Sequence, residues 1–127
     1  MMATSMKDMM DAANAAVPKI SAEEARRLAA EENALILDVR EAAEVAASGK
    51  AKGALNVPRG MLEFKADPQA PSHDPAFDKD RPIAIYCAAG GRAALAGRTL
   101  QEMGYDKVYN LGGFKDWAEA GGETEPG

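Results

Sequence analysis

The chain is 127 residues long, with 46% hydrophobic and 28% charged residues, the proportions of an ordinary soluble globular protein. That length holds one domain with a real core and does not hold two. The balance of 15 basic against 20 acidic side chains gives a net charge of −5 without a basic stripe, which argues against nucleic acid and anionic membrane as partners.

Ser5 to Val17 carries Met6, Met9 or Met10, Ala13 and Val17 at i, i+3, i+4 spacing, a weakly amphipathic helix in which the methionines are packing residues. Residues 1–18 form an N-terminal helical extension that caps the domain, mediates dimerisation or frays, and Pro18 ends it. No apolar run of secretory or membrane length follows, and a single cysteine cannot form an internal disulfide, so the expected compartment is a reducing cytoplasm. The main domain spans 19–120. Ile20 offers a short strand, Ser21 with Glu24 a capping box opening a helix to about Glu31, and Asn33 a turn. Leu35 to Val39 reads as a buried strand, Glu41 to Ser48 as a short helix stopped by Gly49, and Ala54 to Val57 as another strand ended by Pro58. Gly60 to Lys65 suits a helical turn with Met61, Leu62 and Phe64 inward. Residues 66–81 hold three prolines and little periodicity, a long surface loop. The lone His73 in that loop has no second ligand at metal spacing, so no metal site and no cofactor are expected. Lys107 to Leu111 is a last strand, and Gly112-Gly113 turns into a helix whose Phe114 and Trp117 staple it to the sheet. Residues 121–127 are a loose polar tail. Strands alternating with helices through short connections predict an α/β fold: a parallel sheet of about five strands with helices on both faces. The site then belongs outside the carboxyl ends of the strands.

The segment Pro82 to Arg98 lies at such an end. Ile83 to Tyr86 is a strand buried on both faces, followed by the only cysteine, Cys87, then Ala88, Ala89, Gly90 and Gly91. From Arg92, the residues Ala93, Ala96, Leu100 and Met103 recur at helical spacing, and Gly104 permits a left-handed stop. N–H groups of the loop and first helical turn have no partner within the helix, and with the helix dipole they favour negative charge. That is the environment of a nucleophilic thiolate and of an anionic substrate. The alternative for Cys87 is an inert, buried small hydrophobe. Four small residues after it bury almost nothing as core and serve better as a cradle. Arg92 either pairs with an anionic substrate or is a solvated residue opening a helix, and Arg59 is a further candidate for lining the pocket.

Over roughly Ile20 to Ala118 the chain resembles the single-domain rhodanese-like sulfurtransferases. Four segments in the right order carry the resemblance: Leu37-Asp38-Val39-Arg40-Glu41, Gly53-Ala54-Leu55-Asn56-Val57-Pro58, Cys87-Ala88-Ala89-Gly90-Gly91-Arg92-Ala93, and Gly112-Gly113-Phe114-Lys115-Asp116-Trp117. It implies a rhodanese-like fold and a thiosulfate sulfurtransferase-type enzyme. In that reading Cys87 takes the outer sulfur of a donor such as thiosulfate, becomes a persulfide and gives the sulfur to a thiol or cyanide, with ping-pong kinetics. Ala88 through Ala93, with Gly90, Gly91 and Arg92, would bind the donor or the persulfide. The partners implied are a small anionic sulfur donor or a protein donor, and a thiophilic acceptor. Asp38 and Arg40 are structural in this picture, and Arg40 is also spaced i, i+4 from Glu44.

The resemblance has departures. Gly49-Lys50-Ala51-Lys52-Gly53-Ala54 lacks the His and Pro frequent in the family, and Ala88 and Ala89 stand where relatives often place Arg, Lys or Ser. Side-chain help for thiosulfate is therefore thinner. A cysteine phosphatase or arsenate reductase would need five residues between Cys and Arg, and only four separate Cys87 from Arg92. The other alternative is a non-enzymatic sulfur carrier, sensor or protein-interaction module.

Overall fold

The computed structural model describes residues 3–127. The expected extension at 1–18 thus begins with two residues outside the described part. Helix α1 (Met6–Ala16) starts at Ser5, whose hydroxyl accepts the Asp8 N–H while the Asp8 carboxylate accepts the Ser5 N–H. Helix α2 (Ala22–Glu32) is capped by Ser21 and ends at Asn33 in the left-handed region, φ 55°. Ser21 makes only half of the expected box, because Glu24 turns instead to Arg27.

Strand β1 (Leu35–Asp38) leads to α3 (Ala42–Ser48), then to β2 (Lys50–Ala51) and β3 (Leu55–Asn56). A 3-10 turn over Arg59–Met61 runs into α4 (Leu62–Ala66). After a long connection come β4 (Ile83–Cys87), α5 (Gly91–Glu102), β5 (Val108–Gly113), α6 (Phe114–Glu119) and β6 (Thr124–Glu125). Four strands form a parallel sheet in the order β3-β1-β4-β5. The expected fifth strand is reduced to a parallel bridge of Lys19 with Asn110 beside β5.

Alternation along the buried strands sorts the core into two layers. Leu35, Leu37, Ile83, Ile85 and Cys87 face α5 and α4 and pack with Ala93, Ala96, Leu100 and Leu62. Ile36, Ala84 and Tyr86 face the other way, toward Ala25 of α2 and Trp117 of α6. Cys87 therefore lies on the α5 face, at the carboxyl end of a central strand.

Three expectations are corrected here. Met61 and Phe64 point outward, 43% and 56% exposed, and of the three only Leu62 is buried, because the inward face of α4 is the i, i+4 pair Leu62 and Ala66. The methionine stripe of α1 also turns outward at Met6 and Met9, while the smaller Ala13 and Val17 are buried and let α1 approach α5 closely. The tail is not loose. Thr124–Glu125 pairs antiparallel with Lys50–Ala51, the Trp117 indole N–H donates to the Glu123 carbonyl at 2.7 Å, and Glu125 forms an ion pair with Lys50.

The 66–81 connection lacks regular structure yet is ordered by local turns. Carboxylates of Asp67, Asp74 and Asp78 each accept the N–H two residues on. Phe77 is buried edge-to-face against Tyr105, whose hydroxyl donates to the Ala66 carbonyl at 2.6 Å. His73 is half-buried.

Packing of α1 on α5 depends on Gly97, where an added Cβ would lie 2.8 Å from Val17 Cγ1. Gly97→Ala is expected to cost about 1–3 kcal/mol through overpacking, although alanine is the better helix former. Urea denaturation checks this; a stabilised variant would show that α1 is not docked through Val17.

Candidate active site

Strand β4 ends at Cys87 and α5 begins at Gly91, so three residues must turn the chain back over the sheet edge. Gly90 makes this possible at φ 102°, a conformation that a side chain would strain. The turn directs the Gly90 N–H at the Cys87 sulfur, with N to Sγ at 3.0 Å. The sulfur thus accepts a hydrogen bond from the helix N-terminus, where the dipole is positive. Cys87 itself is 1% exposed and forms the floor, while Ala88 and Ala89 are exposed above it and Gly90, Gly91 and Arg92 are half-buried. Ala93 is buried, its side chain belonging to the core layer beneath α5.

Two residues of β5 brace this loop, and the sequence did not single them out for it. The Asn110 amide donates to the Gly90 carbonyl at 3.1 Å and accepts the Gly112 N–H at 2.8 Å. Its backbone meanwhile accepts from Ile20 and donates to Pro18. A polar residue in an otherwise apolar strand next to a Gly-Gly pair is the signal that could have marked it. Gly113 passes so close to the loop that a Cβ there would overlap the Ala88 carbonyl.

Arg92 is half-buried and turned to α3 instead of across the mouth. Its Nη1 and Nη2 donate to the two oxygens of Glu44 at 2.7 and 2.9 Å. The Glu44 hydrogen bond holds the guanidinium pKa well above its ordinary range against desolvation, with the Cys87 sulfur adding in the same direction. Conversely, the Arg92 hydrogen bond pulls the Glu44 carboxyl down to about 2, helped by the Glu41 N–H.

Glu44 therefore does not pair with Arg40, as i, i+4 spacing would allow. Arg40 precedes the helix, and its guanidinium turns inward to Asp38, with Nε to Oδ1 at 3.0 Å and Nη2 to Oδ2 at 2.7 Å. It also donates to Ser48 and the Gly49 carbonyl, and it lies over Phe114 at 4.6 Å and Tyr86 at 5.5 Å. Burial alone would weaken its hold on the proton; the hydrogen bond and charge of Asp38 more than offset that. These contacts join the strand ends beside the site.

Arg59 is not brought to Cys87. It donates to Glu63 at 3.0 Å and to Thr99 at 2.9 Å, two helical turns along α5 from Arg92. There it lines a separate cavity of about 380 Å³ with Asp8 and Met9 of α1 and Leu95, Arg98 and Glu102 of α5. The structure thus gathers Cys87 to Arg92 at one place, adds Glu44, Asn110 and Gly113, and sets Arg59 apart. Among the described residues there is no group of three or more His, Cys, Asp or Glu that could hold a metal, and no helix long and apolar enough to cross a membrane.

Comparison with known proteins agrees with this architecture. The family model of the rhodanese-like domain matches residues 21–120. A sulfurtransferase from Allochromatium vinosum is 36% identical over 97 residues, covering 76% of this chain and 82% of that one. The thiosulfate:glutathione sulfurtransferase of Homo sapiens is 30% identical over 112 residues, covering 83% of this chain and 96% of that one. Among solved structures, a protein of unknown function from Rhodopseudomonas palustris, described as a possible tyrosine phosphatase, aligns with a TM-score of 0.87 at 38% identity. That alignment covers 98% of this chain and 97% of the other. With the family match covering residues 21–120 and a relative 36% identical over 76% of the chain, the chain belongs to the rhodanese-like sulfurtransferase family.

Proposed function

We propose that the protein transfers sulfane sulfur through a persulfide on Cys87. The observation that carries this reading is the Cys87 sulfur held 3.0 Å from the Gly90 N–H beneath an exposed loop of small residues. A thiolate there would be stabilised by the N–H and by the helix dipole. It would attack the outer sulfur of thiosulfate, forming a Cys87 S–S bond as the donor's S–S bond breaks and sulfite departs with the bonding pair. Cyanide or a thiol would then attack the outer sulfur of the persulfide; with cyanide, thiocyanate leaves and the thiolate returns. The persulfide anion would take up the N–H groups of 88–93 in place of the donor. Names of relatives support this chemistry: they include a thiosulfate:glutathione sulfurtransferase and thiosulfate sulfurtransferases.

The possible-phosphatase description of the R. palustris neighbour offers a different reading for the same loop. Four residues between Cys87 and Arg92 make a ring suited to one sulfur atom, and Arg92 is already held by Glu44 rather than turned over the loop toward a phosphate. The 1% exposure of Cys87 favours the remaining alternative, an inert cysteine in a binding module.

Intact mass separates these readings. Purified protein incubated with thiosulfate should gain one sulfur atom, and cyanide or dithiothreitol should discharge it. A protein that gains none while its thiol still alkylates would be a binding module, and p-nitrophenyl phosphate turnover would make it a phosphatase.

A further inference from the structure

Glu44 is the third residue of α3 and belongs to no segment that composes the cysteine loop, yet its carboxylate is brought to the loop by Arg92. Oε2 accepts the Glu41 N–H at 2.8 Å and Arg92 Nη1 at 2.7 Å, while Oε1 accepts Arg92 Nη2 at 2.9 Å. Three N–H groups therefore pin both oxygens, so this carboxylate is no mobile counterion. Residues 88–93 contain no other charged side chain, since Ala88, Ala89, Gly90, Gly91 and Ala93 are all neutral. The one cation of the loop is thus neutralised by a group fixed outside it. The pair carries no net charge, although its guanidinium still faces the Cys87 sulfur, so the main attraction on a donor is the partial positive charge of the loop N–H groups and the α5 terminus, about half an elementary charge.

Such a field suits a donor with one negative charge better than a donor with two. The first charge sits on the sulfur that enters the cradle. A second would lie farther out, facing a mouth whose arginine is already occupied and whose carboxylate repels it. We propose that Glu44 is a specificity-determining residue, selecting monoanionic sulfane-sulfur donors (organic persulfides and thiosulfonates) over dianionic ones such as thiosulfate. This rests on the sulfur-transfer reading above. With an organic persulfide, the Cys87 thiolate attacks the terminal sulfur of the monoanion R–S–S⁻. The Cys87 S–S bond forms, the donor's S–S bond breaks, RS⁻ leaves with the electron pair, and the negative charge stays on the transferred sulfur.

Glu44→Gln tests this on the full chain, because the amide oxygen still accepts from Glu41 and Arg92 while the charge is gone. Steady-state kinetics with cyanide as acceptor would compare thiosulfate, a dianion, with benzenethiosulfonate, a monoanion reacting by the same chemistry. Repulsion scales with donor charge, so KM should fall about tenfold for thiosulfate and about threefold for benzenethiosulfonate, with kcat moving less than twofold. Raising the salt concentration should narrow that difference. Equal changes for the two donors, or a fall in kcat at constant KM as a loosened α3 would give, overturn the selectivity role. Wild-type protein that gains no sulfur from either donor by intact mass overturns the sulfur-transfer reading itself, whereas wild-type loading without a charge-dependent response in E44Q overturns only the role of Glu44.

Discussion

Cys87→Ser is expected to take up no sulfur and to turn over at the uncatalysed background, while unfolding at nearly the wild-type denaturant midpoint. The substitution changes one atom at a buried position, and the hydroxyl can still accept the Gly90 N–H that the sulfur accepts. The loop should therefore keep its shape. What is lost is the nucleophile: an alcohol is a far weaker nucleophile than a thiolate, and no neighbouring base is placed to activate it. Cys87 is the only cysteine, so no second thiol can substitute. Sulfur uptake by C87S protein would remove Cys87 from the mechanism, and a collapsed unfolding midpoint would assign the cysteine to the core instead.

Arg40→Ala should destabilise the fold more than any exposed substitution, by about 3–5 kcal/mol, because it leaves the Asp38 carboxylate buried without its cation. Asp38 is fully buried and Arg40 is 3% exposed, so water does not screen the pair. Asp38 keeps the Arg40 backbone N–H, at 2.9 Å, and the neighbouring Tyr86 hydroxyl, but no cation, once the side chain is removed. The loss also takes away the stacking over Phe114 and Tyr86 and the ties to Ser48 and Gly49. Urea denaturation of R40A and of the double variant D38A/R40A distinguishes the causes. The double variant should recover part of the loss, since it no longer buries an unpaired charge. A single-variant cost below about 1 kcal/mol would mean that the pair contributes as little as a surface ion pair.

The two variants act on neighbouring parts of one end of the sheet. Asp38 and Tyr86 are paired across β1 and β4, and Cys87 follows Tyr86 directly. Loosening the Arg40 side of that end should therefore reach the loop through the backbone, whereas C87S leaves the same scaffold in place.

Local chemistry alone determined much of this protein. Apolar runs at Leu35–Asp38 and Ile83–Cys87 read as buried strands and are buried strands, Ser5 and Ser21 cap helices by their own side chains, and Asn33 and Gly104 stop helices by taking positive φ. The cysteine loop was legible for the same reason, since a strand, four small residues and a helix are contiguous in the chain. Tertiary structure decided everything that depends on which distant residue arrives nearby. It gave Arg92 to Glu44, 48 positions away, and so left Arg40 to its chain neighbour Asp38 instead of to Glu44, because a buried guanidinium must find a carboxylate and only the fold fixes which one is within reach. It made Asn110 the brace of the loop, placed Arg59 beside α1 instead of Cys87, and paired the polar tail with β2, where edge N–H and C=O groups needed partners. Spacing along a chain specifies neighbours on one helix or strand; contacts between elements follow only once the sheet has set their order.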